Sequence, residues 1–463
     1  MKQKGIILII FLLVPLSTLY SSDKESLVLT LDEAIELALE HNKGILVARE
    51  KIKEAECGII TAKAGFLPSL SWQASYTRIA QIPEIKMQMP TGIDTAMVPV
   101  LNAAGQPTGD FVPLPVAVME EGTFSFGEPE NYVTRATLQQ PIFTWGRIRN
   151  AYSLAQANLK AAQADYKKAV NDLKFDVAQS FYRVILAKEL AKLAEDSYVQ
   201  FKRHVDQVED LYNAGMASKF DLLRARVQLA NMKPQIIRAK NGLELAESVL
   251  KILLGIDLSA EINLEGELNY ESYEITLAEA TEIALQKRPE LIAMKYRKRM
   301  AEHGLAIAEA ANKPTIFLTC NYDYKKPKRM LETGWGSDWN VTVGLSLPIF
   351  TGFSYFGKVR QAAAQLGQVK LGVKQLVDGI KLEVKQAILD LEQNKEILEA
   401  QKDNVTQAKE ALNIAEERYK NGLITNLEYM DTQLALTKAR IEYLQALADY
   451  LIARAQLERA IGR

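Results

Sequence analysis

Trp339-Asn340-Val341-Thr342-Val343-Gly344-Leu345-Ser346-Leu347-Pro348-Ile349-Phe350-Thr351 alternates apolar with small polar side chains, then runs into a helical pattern that meets no stop signal before Gly422. Period-two alternation marks a strand with one apolar face. The helical run over 351–420 is about 70 residues, roughly 105 Å at 1.5 Å per residue. No globular core is that long. Within it Val359, Ala363, Leu366, Val373, Val377, Ile380, Val384, Ala387 and Leu391 recur in alternating steps of four and three, with Lys370 interrupting. This is coiled-coil packing, and the alanines let neighbouring helices approach closely.

The strand-to-helix joint occurs twice. Gln140-Pro141-Ile142-Phe143-Thr144 precedes a second long helical run, 144–213, in which Tyr152, Ala155, Leu159, Ala162, Tyr166, Ala169 and Leu173 follow the same rule. The two joints lie 207 residues apart, as do the turns Tyr212-Asn213-Ala214-Gly215 and Tyr419-Lys420-Asn421-Gly422. Earlier in each copy, Leu29-Thr30-Leu31-Asp32-Glu33-Ala34 returns as Ile275-Thr276-Leu277-Ala278-Glu279-Ala280 at an offset of 246, which Pro68 and Pro314 keep. The first copy therefore holds 39 extra residues (246 less 207) between Pro68 and Pro141. With Pro83, Pro90, Pro107, Pro113, Pro115 and Pro129 among them, residues 80–130 read as an inserted loop.

Each copy reads as helix, strand, loop, strand, very long helix, tight turn, shorter helix. The first spans 23–254, with a strand hairpin over 67–143, a long helix over 144–213 and a helix over 218–254. A connector, 255–275, leads to the second copy, 276–463, with its hairpin over 314–350 and helices over 351–420 and 425–461. The entering helices, 31–63 and 277–311, are about 34 residues and the closing helices about 37, so a stacked pair matches one long helix. Stacking would put both hairpins at one end of a rod and both turns at the other.

In the other strands Leu70, Trp72, Ala74 and Tyr76 alternate with Ser69, Ser71, Gln73 and Ser75. Ile316, Leu318, Cys320 and Tyr322 alternate with Thr315, Thr319 and Asn321, Phe317 being out of phase, and residues 131–140 alternate least. Segments of about ten residues with one apolar face suit a membrane barrel. A half-buried soluble sheet gives the same alternation.

Residues 1–22, from Met1-Lys2-Gln3-Lys4 through an apolar run, read as a secretory signal. The alternative, a membrane anchor, is disfavoured because about 12 apolar residues fall short of the roughly 20 a spanning helix needs. Acidic and basic side chains, 57 against 56, nearly balance, which excludes a basic nucleic-acid binder. Beyond the signal no long apolar stretch recurs, so entry into a membrane would use strands. Four strands cannot close a barrel; a dimer would supply eight, whose side chains fill the interior, and a trimer twelve, which leave a water channel.

Two repeats, each with a Pro-Ile-Phe-Thr joint and a Tyr-x-x-Gly turn, resemble the TolC-like outer membrane efflux protein family over nearly the whole mature chain. The resemblance implies a mainly α fold with a small transmembrane β part: a homotrimeric channel-tunnel whose chains each give four strands to a 12-stranded barrel, above a coiled-coil helical barrel in the periplasm. It implies an outer-membrane exit duct for drugs, small molecules or secreted proteins, with an iris at the periplasmic tip. Implied partners are a periplasmic adaptor, an inner-membrane transporter of RND, ABC or MFS type, and outer-membrane lipid. No catalysis and no cofactor are implied.

Gly215 and Gly422 read as left-handed caps, and Ser218-Lys219-Phe220-Asp221 and Thr425-Asn426-Leu427-Glu428 as capping boxes. Asp221 and Glu428 could therefore serve as caps or in a gate. Asp431, three residues past Glu428 on the same helical face, has no cap to make, and a trimer would gather Glu428 and Asp431 into acidic rings. The resemblance puts Glu428 and Asp431 at the entrance and Tyr419 and Asp221 among the links that hold it closed. Ile424 stands where the family has an arginine that pairs with the aspartate, leaving a Tyr419 to Asp221 hydrogen bond as a substitute. Adaptor docking is expected around Gly215, Ala217, Ser218, Gly422, Leu423 and Thr425, residues that also suit a plain turn.

Gly352-Phe353-Ser354-Tyr355-Phe356-Gly357-Lys358-Val359 is not a phosphate loop, since Val359 replaces the required hydroxyl residue. His41, His204 and His303 are scattered, and His204, on a long helix, is expected to face solvent. Cys57 and Cys320 read as unpaired, and no metal cluster is expected. The competing reading is a periplasmic coiled-coil adaptor, but that needs one hairpin flanked by small β-domains, whereas this chain has two hairpins and two strand pairs.

Overall fold

The computed structural model describes residues 27–82, 84–125, 127–329 and 332–463, so the expected signal, 1–22, lies outside the described residues. The chain runs β1 (Leu27–Leu29), α1 (Leu31–His41), α2 (Lys43–Ala64), β2 (Ser69–Arg78), β3 (Glu84–Leu101), β4 (Pro107–Ser125), β5 (Glu130–Phe143), α3 (Arg147–Asn213) and α4 (Lys219–Leu254). It continues through β6 (Ile262–Leu264), α5 (Leu277–Lys287), α6 (Pro289–Glu309), β7 (Thr315–Lys326), β8 (Gly336–Ser346), α7 (Ser354–Lys420) and α8 (Asn426–Ile461). The long helices α3 and α7 are each 67 residues. No helix among the described residues is long and apolar enough to cross a membrane. The residues fall into two compact units.

One unit, residues 54–160 and 296–370, holds an antiparallel sheet of order β2-β5-β7-β8. Register sorts its side chains cleanly. Gln73 opposes Arg135, Arg135 opposes Asp323, and Asp323 opposes Asp338; one step along, Ser71, Thr137, Asn321 and Asn340 line up in the same way. On this face Arg135 holds Asp323 through two bonds of 2.6 and 2.8 Å, and Thr137, Asn321 and Asn340 form a hydrogen-bonded ladder. The opposite face carries Trp72, Ala136, Tyr322 and Trp339 in one row and Leu70, Leu138, Cys320 and Val341 in the next. Trp72, Trp339 and Val343 are 69%, 72% and 71% exposed, so none of the described residues covers them on this apolar face.

Phe317 interrupts the alternation as expected. It sits on the polar face opposite Gly344, where a Cβ would lie 2.3 Å from its ring, so the missing side chain makes room for the aromatic. Aromatic clusters close both ends of the sheet. Tyr76, Tyr132, Tyr324 and Trp335 stack at one end, and Phe143 meets Trp145 and Phe350 meets Phe353 where the strands lead into helices. Those joints turn sharply: Trp145 and Phe353 adopt φ of 50° and 63° beside Gly146 and Gly352.

Residues 80–130, expected as a loop, instead hold a two-stranded ribbon, β3 paired with β4 over 18 and 19 residues. Alternation of Ile85, Met87 and Met89 supplies the strand pattern, and the Asn102 side chain accepts from the Ala104 and Gln106 amides at the turn, with Gly105 at φ 76°. Prolines are tolerated because each strand of a ribbon has a free edge, where a missing N–H breaks no ladder. The register shifts at Pro90/Gly92 and Pro99/Leu101.

The other unit comprises residues 27–53, 161–295 and 371–463 among those described. Two equivalent cores form in it. Val177, Phe181, Val184 and Ile185 of α3 pack with Ala34 and Ala38 of α1 and Leu250 and Leu254 of α4, while Ile380, Val384, Ala387 and Leu391 of α7 pack with Ala280 and Ala284 of α5 and Tyr450 and Leu457 of α8. Beneath the first, β1 pairs in parallel with β6. The entering helices, expected to be continuous, are each broken. Asn42 caps α2 by accepting from the amides of Gly44 and Ile45 while its Nδ2 donates to the Leu253 carbonyl at 2.9 Å. In the second copy Pro289, which has no N–H to give, opens α6, and Arg288 is drawn to Glu383 at 2.5 Å.

Candidate functional site

Each long helix ends in a glycine-capped turn. Gly215 at φ 76° lets its amide reach the Tyr212 carbonyl and that of Met216 reach Leu211; Gly422 at φ 71° repeats this with Tyr419 and, through Leu423, Arg418. The next helix then starts on a hydroxyl cap. Ser218 Oγ accepts from the Asp221 amide at 3.1 Å and donates to its carboxylate at 2.6 Å. Thr425 Oγ1 accepts from the Glu428 amide at 3.2 Å, and the Thr425 amide and hydroxyl donate to Glu428 Oε2 at 2.7 and 3.0 Å.

Only the second of the two expected capping boxes closes, since the Asp221 carboxylate bonds the Ser218 hydroxyl and not its main-chain N–H. Asp is one methylene shorter than Glu. Glu428 is held below its ordinary range by the Thr425 amide and then by its hydroxyl. Glu428 and Asp431 both lie exposed on α8, three residues apart, so the face they share is open.

A cleft of about 720 Å³ separates the turns, walled by Asp221, Met216, Ala217, Tyr419, Ile424 and Asn426. Tyr419 stacks on Tyr429 with ring centres 5.2 Å apart. Burial, then the charge of Asp221 and the neighbouring phenol, push the Tyr419 hydroxyl above its ordinary value. Among the described residues no hydrogen bond joins Tyr419 to Asp221, so the expected substitute for the missing arginine link is not made. Ile424 presents only hydrocarbon to the cleft. Gly215, Ser218, Gly422, Leu423 and Thr425 are exposed and Ala217 half-buried, which leaves both turns accessible.

His204 is the main departure from expectation. It is 2% exposed, not solvent-facing, and its Nε2 lies 2.6 Å from Asn426 Oδ1. Its ring packs against Tyr429 at 4.6 Å and Tyr419 at 5.4 Å. The sequence carried a signal for this: Phe201 and Val208, three before and four after, are both fully buried and mark the same stripe of α3. Asn426, between the Thr425 cap and Glu428, was read only as turn chemistry, yet its Nδ2 donates to the Asp221 carbonyl at 3.3 Å.

Residues 34–256 and 280–463, one stretch in each repeat, match the family described as Outer membrane efflux protein. The outer membrane efflux protein BepC of Brucella suis biovar 1 (strain 1330) is 23% identical over 326 residues, 70% of this chain and 71% of BepC. The outer membrane protein TolC of Vibrio cholerae serotype O1 is 23% identical over 317 residues, 67% of this chain and 72% of TolC. Among solved structures the CmeC outer membrane channel of Campylobacter jejuni superposes with a TM-score of 0.74 at 19% identity, covering 93% of this chain and 85% of CmeC. The fold is therefore that of the outer membrane channels, and the chain belongs to the outer membrane efflux protein family.

Proposed function

We propose that three copies of this chain, each exported behind a signal over residues 1–22 and built from repeats 23–254 and 276–463 around the connector 255–275, form the outer-membrane exit duct of a tripartite efflux or secretion system. The observation that carries this reading is the four-stranded sheet with one largely polar and one largely apolar face. Its outer strands, β2 and β8, each leave an edge unpaired. In hydrocarbon every main-chain N–H and C=O must be paired, so such a sheet enters a membrane only when copies join edge to edge into a closed ring. The apolar face then meets lipid and the Arg135–Asp323 face lines water, with the aromatic clusters at the two interfaces.

Helix surfaces support the same assembly. Leu382 and Leu389 on α7, and Leu245, Val249 and Ile252 on α4, repeat at helical spacing and are 47% to 68% exposed in the single chain. Neighbouring copies would cover them. Glu428 and Asp431 then form acidic rings at the periplasmic entrance, with Tyr419 and Asp221 among the groups that set its width. The adaptor docks on the turns around Gly215, Ala217, Ser218, Gly422, Leu423 and Thr425, helical hairpins of the partner packing between the paired helices. The duct is passive, with energy supplied by the inner-membrane transporter, and the chain catalyses nothing. Drugs, small molecules or secreted proteins are its cargo.

Fractionation tests the reading against a periplasmic adaptor. An outer-membrane duct remains in the sarkosyl-insoluble fraction and migrates on gels as a heat-modifiable oligomer; release with the periplasm as a heat-insensitive monomer overturns it.

A further inference from the structure

His204 is a group the exit-duct reading does not use, and it stands at the junction of all four helices that meet at the turns. Asn426 Nδ2 donates to the Asp221 carbonyl, so Asn426 Oδ1 faces the imidazole and His204 Nε2 is the donor of their 2.6 Å bond. One chain of bonds thus runs from α3 through Asn426 of α8 to the first turn of α4, with Tyr419 of α7 closing over the ring. His204 Nδ1 is buried and has no partner among the described residues. The imidazole in this arrangement is neutral.

A second proton would go to Nδ1, where nothing receives it. The charged and titratable groups around the ring are Arg203 of α3, Glu416, Tyr419 and Lys420 of α7, and Tyr429 of α8, with Asp221 of α4 reached through Asn426. Of the nearby carboxylates, Glu416 is held by Lys420 at 3.0 Å, and Asp221, which walls the neighbouring cleft with Tyr419 and Asn426, is bonded to the Ser218 hydroxyl. Gln433 Oε1, beside the same cavity of about 380 Å³, is likewise buried and unpartnered, and does not reach His204. Burial pushes the imidazole below its ordinary value of 6.5, and the Asn426 bond pulls it only partly back.

We infer that His204 is a pH-responsive latch which, when neutral, ties the α3–α4 turn to the α7–α8 turn through Asn426, and which lets the two turns separate when it is protonated. This inference rests on the exit-duct reading. The sign follows from linkage. A released, hydrated imidazole binds protons at its ordinary value and the latched one resists them, so the latch is at full strength above about pH 6.5 and weakens by up to tenfold per pH unit below it.

Single-channel recording of the purified full-length protein, stepped from about pH 7.5 to 5.5, tests the latch. Open probability should rise in the unaltered protein, by at most about tenfold. His204→Gln, which keeps a donor for Asn426 but cannot become charged, should lose that rise. Where the channel conducts, an equal rise in His204→Gln, or none in the unaltered protein, overturns the latch and leaves the duct standing. A spin-label pair at Met216→Cys and Leu423→Cys, in a Cys57→Ser, Cys320→Ser background, reads the same event without current. Acid broadening of the label distance that vanishes with His204→Gln supports the latch even if no preparation conducts, an outcome that sinks only the duct. Broadening that His204→Gln leaves unchanged, or no broadening in either, overturns the latch.

Discussion

Glu428 and Asp431 lie side by side on α8 but do different work. The Glu428 carboxylate is committed to the Thr425 amide and hydroxyl, whereas the side chain of Asp431 makes no cap. Asp431→Asn should therefore weaken block of conductance by multivalent cations more than Glu428→Gln, in which the amide oxygen still accepts from Thr425; equal block in both variants and the parent would show that neither lines the constriction. Thr425→Ala removes the cap itself and should cost about 1 kcal/mol of local stability, read as faster hydrogen exchange at the start of α8. The glycine caps, the hydroxyl caps and the acidic pair were legible in the residues, because each is a local pattern over three or four positions. The burial of His204 was not, since charged and polar neighbours in sequence masked the Phe201 and Val208 stripe. Nor was the place of Phe317, which is explained only by Gly344 across the strand pair, 27 residues on. Gly344→Val would drive a side chain into the Phe317 ring and should cost about 1–3 kcal/mol, read as a lower temperature for oligomer dissociation; no change would mean that the ring moves aside.

Among the elements, the long helices were the most legible, since a four-three apolar stripe from Val359 to Leu391 sits in a run with no stop signal that proves to be a helix of 67 residues. Breaks at Asn42 and Arg288 were hidden because the residues on either side keep helical periodicity. What stops the helix is a side chain bonding across to Leu253 in one copy and a proline in the other. The β3–β4 ribbon was misread because prolines were counted as breakers without asking whether a free edge would tolerate them. Among the described residues its strands pair only with each other. Deleting residues 84–125 and joining the ends with a short glycine link should thus leave heat-modifiable oligomers intact, and loss of the oligomer would show that the ribbon packs into the assembly. In the four-stranded sheet, Arg135→Ala strands the 7%-exposed Asp323 and should destabilise the oligomer by about 1–3 kcal/mol. Asp323→Asn on that background should restore most of the loss in thermal gel-shift measurements, and a double variant worse than the single would argue against an ion pair on a water-lined face.

For the molecule as a whole, neither the sheet nor the helix surfaces are complete in one chain. The two free edges of β2 and β8 and the exposed Leu382 and Leu389 both await another copy. Leu382→Glu with Leu389→Glu should leave the single chain folded by circular dichroism yet prevent oligomers from forming, because charge would replace hydrocarbon at the joint between copies. Alternation in the strands was readable in the sequence, but it fits a soluble sheet as well as a membrane one. Exposure of Trp72, Trp339 and Val343 on a single continuous face separates the two, and that is a property of register between strands far apart in the chain. The number of copies follows from strand arithmetic: two copies give eight strands and a filled interior, three give twelve and a water-filled one. Native mass spectrometry of the protein released from detergent measures that number directly. Three chains in one particle are expected, and a particle of one or two chains would overturn the exit duct.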